Sequence, residues 1–253
     1  MKVIAIGDLH DSPHIKDKSR FRWIGKHIAK TKPAYVVQIG DFLTLDSCTY
    51  YIPDDTFTAR IEKPTFIKDM QSFDEAMEEF AYGLGNHKVK KYYTLGNHEK
   101  RMWRYEDKNP TFYGMCQKEF YGICKKYKWD VIPWGEYLML GGVGFIHAPI
   151  NPMGKEYGGE ASERQVANKS KIDIVFGHSH RAQDNRVPKI SHTKNDFTRV
   201  LNIGCALPEG HIESYAKHSL TGWTYQICEI DIWDNHIMEV NNISMKKLKK
   251  LYG

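Results

Sequence analysis

The chain reads as an α/β protein with two β-sheets flanked by helices, and three observations predict that class. Five short apolar runs, at 2–10 (KVIAIGDLH), 34–41 (AYVVQIGD), 91–99 (KYYTLGNHE), 143–148 (VGFIHA) and 173–180 (DIVFGHSH), each end in residues able to bind a metal. Such runs of β-branched and aromatic residues are buried strands entering loops, where α/β proteins place their chemistry. The first two runs are joined by a stretch with helical spacing, giving a βαβ unit. Residues 191–245 alternate like strands and are expected to complete a second sheet.

Between the first two strands, Phe21, Ile24 and Ile28 fall on one side of a helix with Lys and Arg opposite, and Pro33 ends it. This βαβ unit brings Asp8 and Asp41 to the same sheet edge. Residues 43–65 lack a period and are read as a loop over the site. Phe66, Met70, Phe73, Met77 and Phe80 then recur at spacings of three and four, marking an amphipathic helix closed by Gly83 or Gly85. That stripe is read as core. The opposite face, with Asp69, Asp74, Glu75, Glu78 and Glu79, is read as a solvated surface.

Residues 86–130 mix Lys and Arg with Trp103, Tyr105, Tyr113, Phe120, Tyr121, Tyr127 and Trp129. Two readings stay open there: a surface for a phosphate backbone and its bases, or a helix with a basic solvent face. Near the C-terminus, a strand, a DN turn and a second strand read as a hairpin. The final KKLKKLYG is read as a frayed basic tail.

At 253 residues, one domain spanning 1–253 is expected. Thirty-six Lys plus Arg against 31 Asp plus Glu give +5, too little for a dedicated nucleic-acid binder. The five cysteines form no CxxC pair, and VIAIG is too short for a secretory leader, so a soluble, cytoplasmic protein with reduced thiols is expected. No apolar stretch reaches the roughly 20 residues that span a bilayer, so no membrane partner is expected.

The run ends carry the chemistry. Asp8 and His10 are alternate residues at a strand end, as are His178 and His180, so each pair can point one way. Asn97 offers an amide oxygen, and His98 beside it is free to act on substrate. A cysteine-rich structural zinc site is excluded by the absence of such a cluster.

In order and content these motifs resemble the calcineurin-like metallophosphoesterase superfamily, whose signature runs DxH, GD, GNH(D/E), a lone H and GHxH. Here they are Asp8 and His10, Gly40 and Asp41, Gly96 to Glu99, His147, and Gly177 to His180. The likeness covers residues 1 to about 205 and is closest to compact single-domain members found in bacteriophage genomes. It implies two mixed sheets packed as a sandwich between helices. It also implies two divalent metal ions, one held by Asp8, His10, Asp41 and His180, the other by Asn97, His147, His178 and the shared Asp41. Mixed imidazole and carboxylate ligands favour Mn, with Fe, Zn or Ni as alternatives, over Mg.

The implied mechanism is hydrolysis by metal-activated hydroxide, with His98 protonating or polarising the leaving oxygen. Glu99 or Asp46 would orient that imidazole. Arg101 and Arg104 are either phosphate grips or surface residues. GDFLTLDS and FIHAP depart from the GDxVDRG and HGG motifs of phosphoprotein phosphatases, which argues against a protein substrate. The expected function is phosphodiester hydrolysis in DNA or a nucleotide. A phosphomonoesterase is the nearest rival and a non-catalytic scaffold a remote one; oligomeric state is left open. His14, His27, His87, His192, His211, His218 and His236 match no motif position and are read as surface or loop residues.

Overall fold

Strands β1 (Lys2–Ile6) and β2 (Tyr35–Ile39) lie side by side and parallel, joined through helix α1 (Ser19–Thr31), as the βαβ reading requires. The computed structural model describes residues 1–49, 63–159, 161–191, 195–213, 216 and 221–253. His192, His218 and most of the loop expected at 43–65 lie outside them.

Helix α1 buries Phe21, Ile24 and Ile28, and it ends where Lys32 turns into the left-handed region (φ 49°) just before Pro33. Helix α2 (Phe66–Leu84) buries Met70, Phe73, Met77 and Phe80, so the stripe is core, and Gly85 rather than Gly83 closes it. One member of its acidic face departs from expectation. Asp69 is buried, because its Oδ2 accepts the Ser47 N–H (3.2 Å) from the loop after β2.

Next come β3 (Lys90–Thr94), α3 (Lys100–Lys108), α4 (Met115–Lys126) and β4 (Trp129–Ile132). Of the aromatic residues in this segment, Phe120 and Trp129 are core, whereas Tyr113 and Tyr121 are exposed. β5 (Leu138–Leu140), β6 (Val143–Phe145), α5 (Ser162–Lys169), β7 (Ile174–Phe176), β8 (Ala182–Pro188) and β9 (Phe197–Ile203) follow. The chain finishes with β10 (Gln226–Trp233), β11 (His236–Ser244) and α6 (Met245–Tyr252).

Two mixed sheets result, ordered β11-β10-β1-β2-β3-β4 and β5-β6-β7-β9-β8. Val3, Val37, Val143, Phe145, Val175 and Ile230 fill the space between them, which makes the sandwich. Outside the first sheet, Ile4, Ile6 and Val36 pack on residues of α1, α2, α4 and α6; outside the second, Val166 and Ala167 of α5 cover Ile174 and Phe176. Apolar side chains thus separate four layers, helix, sheet, sheet, helix, with six α-helices among the described residues.

Three expectations are corrected. The β10–β11 hairpin forms, with Asp234 and Asn235 both at positive φ in its turn, but it extends the first sheet beside β1 instead of completing the second. The basic tail is not frayed. Ser244 caps α6 by accepting the Lys247 N–H, and Met245 and Leu248 are buried. His27 is not a surface residue; it is buried, with Nε2 at 2.8 Å from Glu229 and Nδ1 at 3.1 Å from the Tyr252 hydroxyl. All five cysteines are free and buried. No helix among the described residues is long and apolar enough to cross a membrane.

Candidate metal centre

The parallel strands β1, β2 and β3, together with β6 and β7, release their loops toward one end of the sandwich, and the motif side chains meet there. Asp8, His10, Asp41, His98, His147 and His180 are all buried, and His178 is half-buried. Asp8, His10 and His180 offer ligand atoms within 4.8 Å of one another, and so do Asp41, His147 and His178. His10 Nε2 and His180 Nε2 are 2.9 Å apart, and Asn97 Oδ1 lies 2.9 Å from both His147 Nε2 and His178 Nδ1. Asp41 stands between the two groups, its Oδ2 3.3 Å from His147 Nε2 and 3.9 Å from His10 Nε2.

Tight local geometry makes this convergence. Gly40, at φ 67°, passes so close to His147 that an added Cβ would lie 2.6 Å from its Nδ1. A Cβ on Gly96 would overlap the Asp41 carboxylate. Each of these glycines is therefore dictated by a ligand from another motif. His10, Asp41, His178 and His180 also have positive φ, a strained backbone held by the surrounding structure at a functional site.

Do these residues fit a cation? His147 Nδ1 lies 2.8 Å from the Ile39 carbonyl, to which it donates. In the neutral ring, Nε2 is then a lone pair aimed at Asn97 Oδ1 and Asp41 Oδ2, acceptor against acceptor. Positive charge has to lie among these atoms. Burial works against protonating His147, but the Asp41 and Asp8 carboxylates prevail and lift it to about 10. Burial likewise raises Asp8 to about 8. In contrast, burial lowers His178 and His98 to about 4 and His180 to about 3, so these rings are neutral at pH 7, the form that donates to a metal. The donor set fits two divalent cations.

His98 contacts its surroundings differently from either reading offered by the sequence. Its Nδ1 is 2.9 Å from the Thr44 carbonyl, and its Nε2 is 3.1 Å from Arg101 Nη2. Asp46 acts one step away, 3.7 Å from Arg101 Nη1. Glu99 has another role. Its carboxylate accepts the N–H groups of Asp41, Leu43 and Gly96 and the Tyr93 hydroxyl, pinning the loops after β2 and β3 together. Arg101 thus reaches the site, whereas Arg104 is exposed and takes no part in the site's hydrogen bonds among the described residues.

Three contributors were not legible beforehand. Thr44 acts through its backbone carbonyl, which leaves no trace in residue type. Trp223 packs edge-on against His180 (ring centroids 4.3 Å apart), and Trp134 lies 6.0 Å from His147 with Lys100 Nζ 5.1 Å from its ring. Both tryptophans are half-buried, neither lies beside a ligand in sequence, and the alternation read over 191–245 gives Trp223 no link to the site.

Comparison with curated protein sequences gave no match. Among solved structures, zinc-complexed Vps29 from Entamoeba histolytica is 10% identical over 97% of this chain and 99% of its own (TM-score 0.40). Vps29 from Cryptosporidium parvum is 15% identical over 96% and 97% (TM-score 0.41). Purple acid phosphatase PPD1 from yellow lupin is 11% identical over 98% of this chain and 55% of its own (TM-score 0.43). Likenesses this distant carry no argument about function. The family model for calcineurin-like phosphoesterases, however, matches residues 1–182, which contain every motif at this centre. The chain belongs to the calcineurin-like phosphoesterase family.

Proposed function

We propose that the protein is a dinuclear-metal phosphodiesterase acting on a nucleotide or on DNA. The observation that carries this reading is the convergence of Asp8, His10, Asp41, Asn97, His147, His178 and His180 from five loops, with His98 beside them and no ligand of the set missing. Asp8, His10, Asp41 and His180 would hold one cation, and Asp41, Asn97, His147 and His178 the other, with Mn the metal we expect. Two such cations supply Lewis acidity toward a phosphoryl oxygen and make water acidic enough to ionise near neutral pH.

The chain's own groups do the rest. Arg101, a donor only, fixes His98 with its proton on Nδ1. His98 Nε2, 3.9 Å from Asp41 Oδ2, is then an acceptor held by Arg101, so the N–H donor beside the metal ligands would come from the guanidinium and not from the imidazole. Glu99 holds the Asp41 and Gly96 backbones in register. Trp134 and Trp223 flank the ligands on two sides, and half-buried indole faces beside a phosphate site suit nucleobases. This favours a diester with base-bearing arms over a simple monoester.

The test is hydrolysis of a dinucleotide and of the matching mononucleotide by the Mn-loaded protein, beside Trp223→Ala. Diester cleavage, with KM raised in the variant, supports the reading. Release of phosphate from the mononucleotide alone makes the protein a phosphomonoesterase, and turnover of neither makes it a scaffold.

A further inference from the structure

A cavity of about 890 Å³ is lined by Thr44 and Asp46 together with residues at the start of α1, in the loop after β9 and in helix α6. Its size is that of a drug- or nucleotide-sized pocket. Arg20 forms part of its wall and is only 3% exposed, yet its Nε and Nη1 have no hydrogen-bond partner among the described residues. The remaining nitrogen, Nη2, reaches Asp11 at 3.2 Å, but that carboxylate is already engaged by Lys18 Nζ (2.7 and 2.9 Å) and by Ser72 Oγ (2.6 Å). Two buried cations therefore share the Asp11 carboxylate, and Glu213 in the same wall attracts Arg20 without accepting a hydrogen bond from it. A buried guanidinium with unused donors is costly unless an anion completes it.

The cavity also holds the carboxylates of Asp17, Asp46, Glu209 and Glu213, and all but exposed Glu209 have partners of their own. Asp17 Oδ1 accepts the Ser19 N–H, Glu213 lies 3.2 Å from His211, and Asp46 faces Arg101. None of them accepts from Arg20. The first residues of α1, Ser19 and Arg20, line the same wall, so the positive end of a 13-residue helix adds to the field there. One turn on, half-buried Trp23 presents an aromatic wall, with Lys249 Nζ 5.9 Å from its ring.

We propose that this cavity is a second ligand site, for a nucleoside phosphate: the phosphate on Arg20 and the helix start, the base on Trp23. It stands whether or not the metal centre hydrolyses nucleotides. Because Thr44 and Asp46 belong to both walls, an occupant would sit directly behind the groups that position His98 and Arg101.

Titration calorimetry of the metal-loaded full chain with AMP, inorganic phosphate and adenosine tests this. AMP is expected to bind, and adenosine more weakly. Arg20→Met should raise the Kd for AMP by about ten- to a hundredfold, the loss of a charge-assisted hydrogen bond. Lys249→Ala, at an exposed position, guards against a misfolded Arg20 variant and should raise it about threefold. Asn97→Ala, which weakens any AMP binding at the metal centre, should leave the Arg20-dependent binding event in place. The proposal is overturned if AMP does not bind, if adenosine binds as tightly as AMP, or if AMP binding is lost in Asn97→Ala and kept in both cavity variants.

Discussion

Arg101 Nη2 donates to His98 Nε2 across 3.1 Å, which makes that nitrogen the ring's acceptor and leaves the proton on Nδ1, given to the Thr44 carbonyl at 2.9 Å. A guanidinium only donates and a carbonyl oxygen only accepts, so Arg101 and Thr44 set the same tautomer from the two sides of the ring. Replacing it with Met frees Nε2 and removes the donor from the site. Turnover of a diester should fall roughly a hundredfold, in line with loss of a transition-state donor. Nitrogen chemical shifts of His98 should at the same time keep the Nδ1–H tautomer that the Thr44 carbonyl requires while the Nε2 shift reports the lost donor; an unchanged kcat would remove Arg101 from the mechanism.

Glu99 accepts four donors, at 2.9 Å (Asp41 N), 3.1 Å (Leu43 N), 2.8 Å (Gly96 N) and 2.7 Å (Tyr93 Oη). Glu99→Gln turns one acceptor arm into an NH₂ group facing donors. The loss should be roughly 2 to 4 kcal/mol in denaturant unfolding, with weaker metal retention. A variant as stable as the parent would show that the clamp is dispensable.

Gly96→Ala places a methyl group on the Asp41 carboxylate. Metal analysis of the purified variant should show depletion relative to the parent, even if the fold survives by circular dichroism.

Asp69 supplies the pH dependence. Burial raises its carboxyl from 3.8 to about 6, and its Oδ1 has no partner among the described residues. A folded pKa above the unfolded one means that this site stabilises the fold below pH 3.8 and that the contribution is lost as pH rises through 6. Asp69→Asn should therefore gain on the order of 2 kcal/mol at pH 8 and little at pH 3.5. Unfolding curves at the two pH values check this, and an equal effect at both would contradict it.

What the sequence revealed and what it hid divide along physical lines. Strands ending in Asp, His and Asn announce themselves because β-branched runs and ligand residue types are both local signals, and the fold brings Asp8, His10, Asp41, Asn97, His147, His178 and His180 together. The destination of the β10–β11 hairpin was hidden, since alternation marks a strand but not its partner. Asp69 and His27 look like surface residues in sequence; each is buried by one distant acceptor or donor that no periodicity encodes. Trp134 and Trp223 were missed for the same reason, being placed by tertiary contact alone.

The central claim, a two-metal centre that cleaves phosphodiesters, meets its most direct test in Asp41, which lies between both ligand groups. We would measure metal content and hydrolysis of bis(p-nitrophenyl) phosphate side by side for the parent and Asp41→Asn. The account predicts about two metal equivalents and diester turnover in the parent, with both sharply reduced in the variant. Full metal loading without turnover in the parent, or equal turnover in the variant, would contradict it.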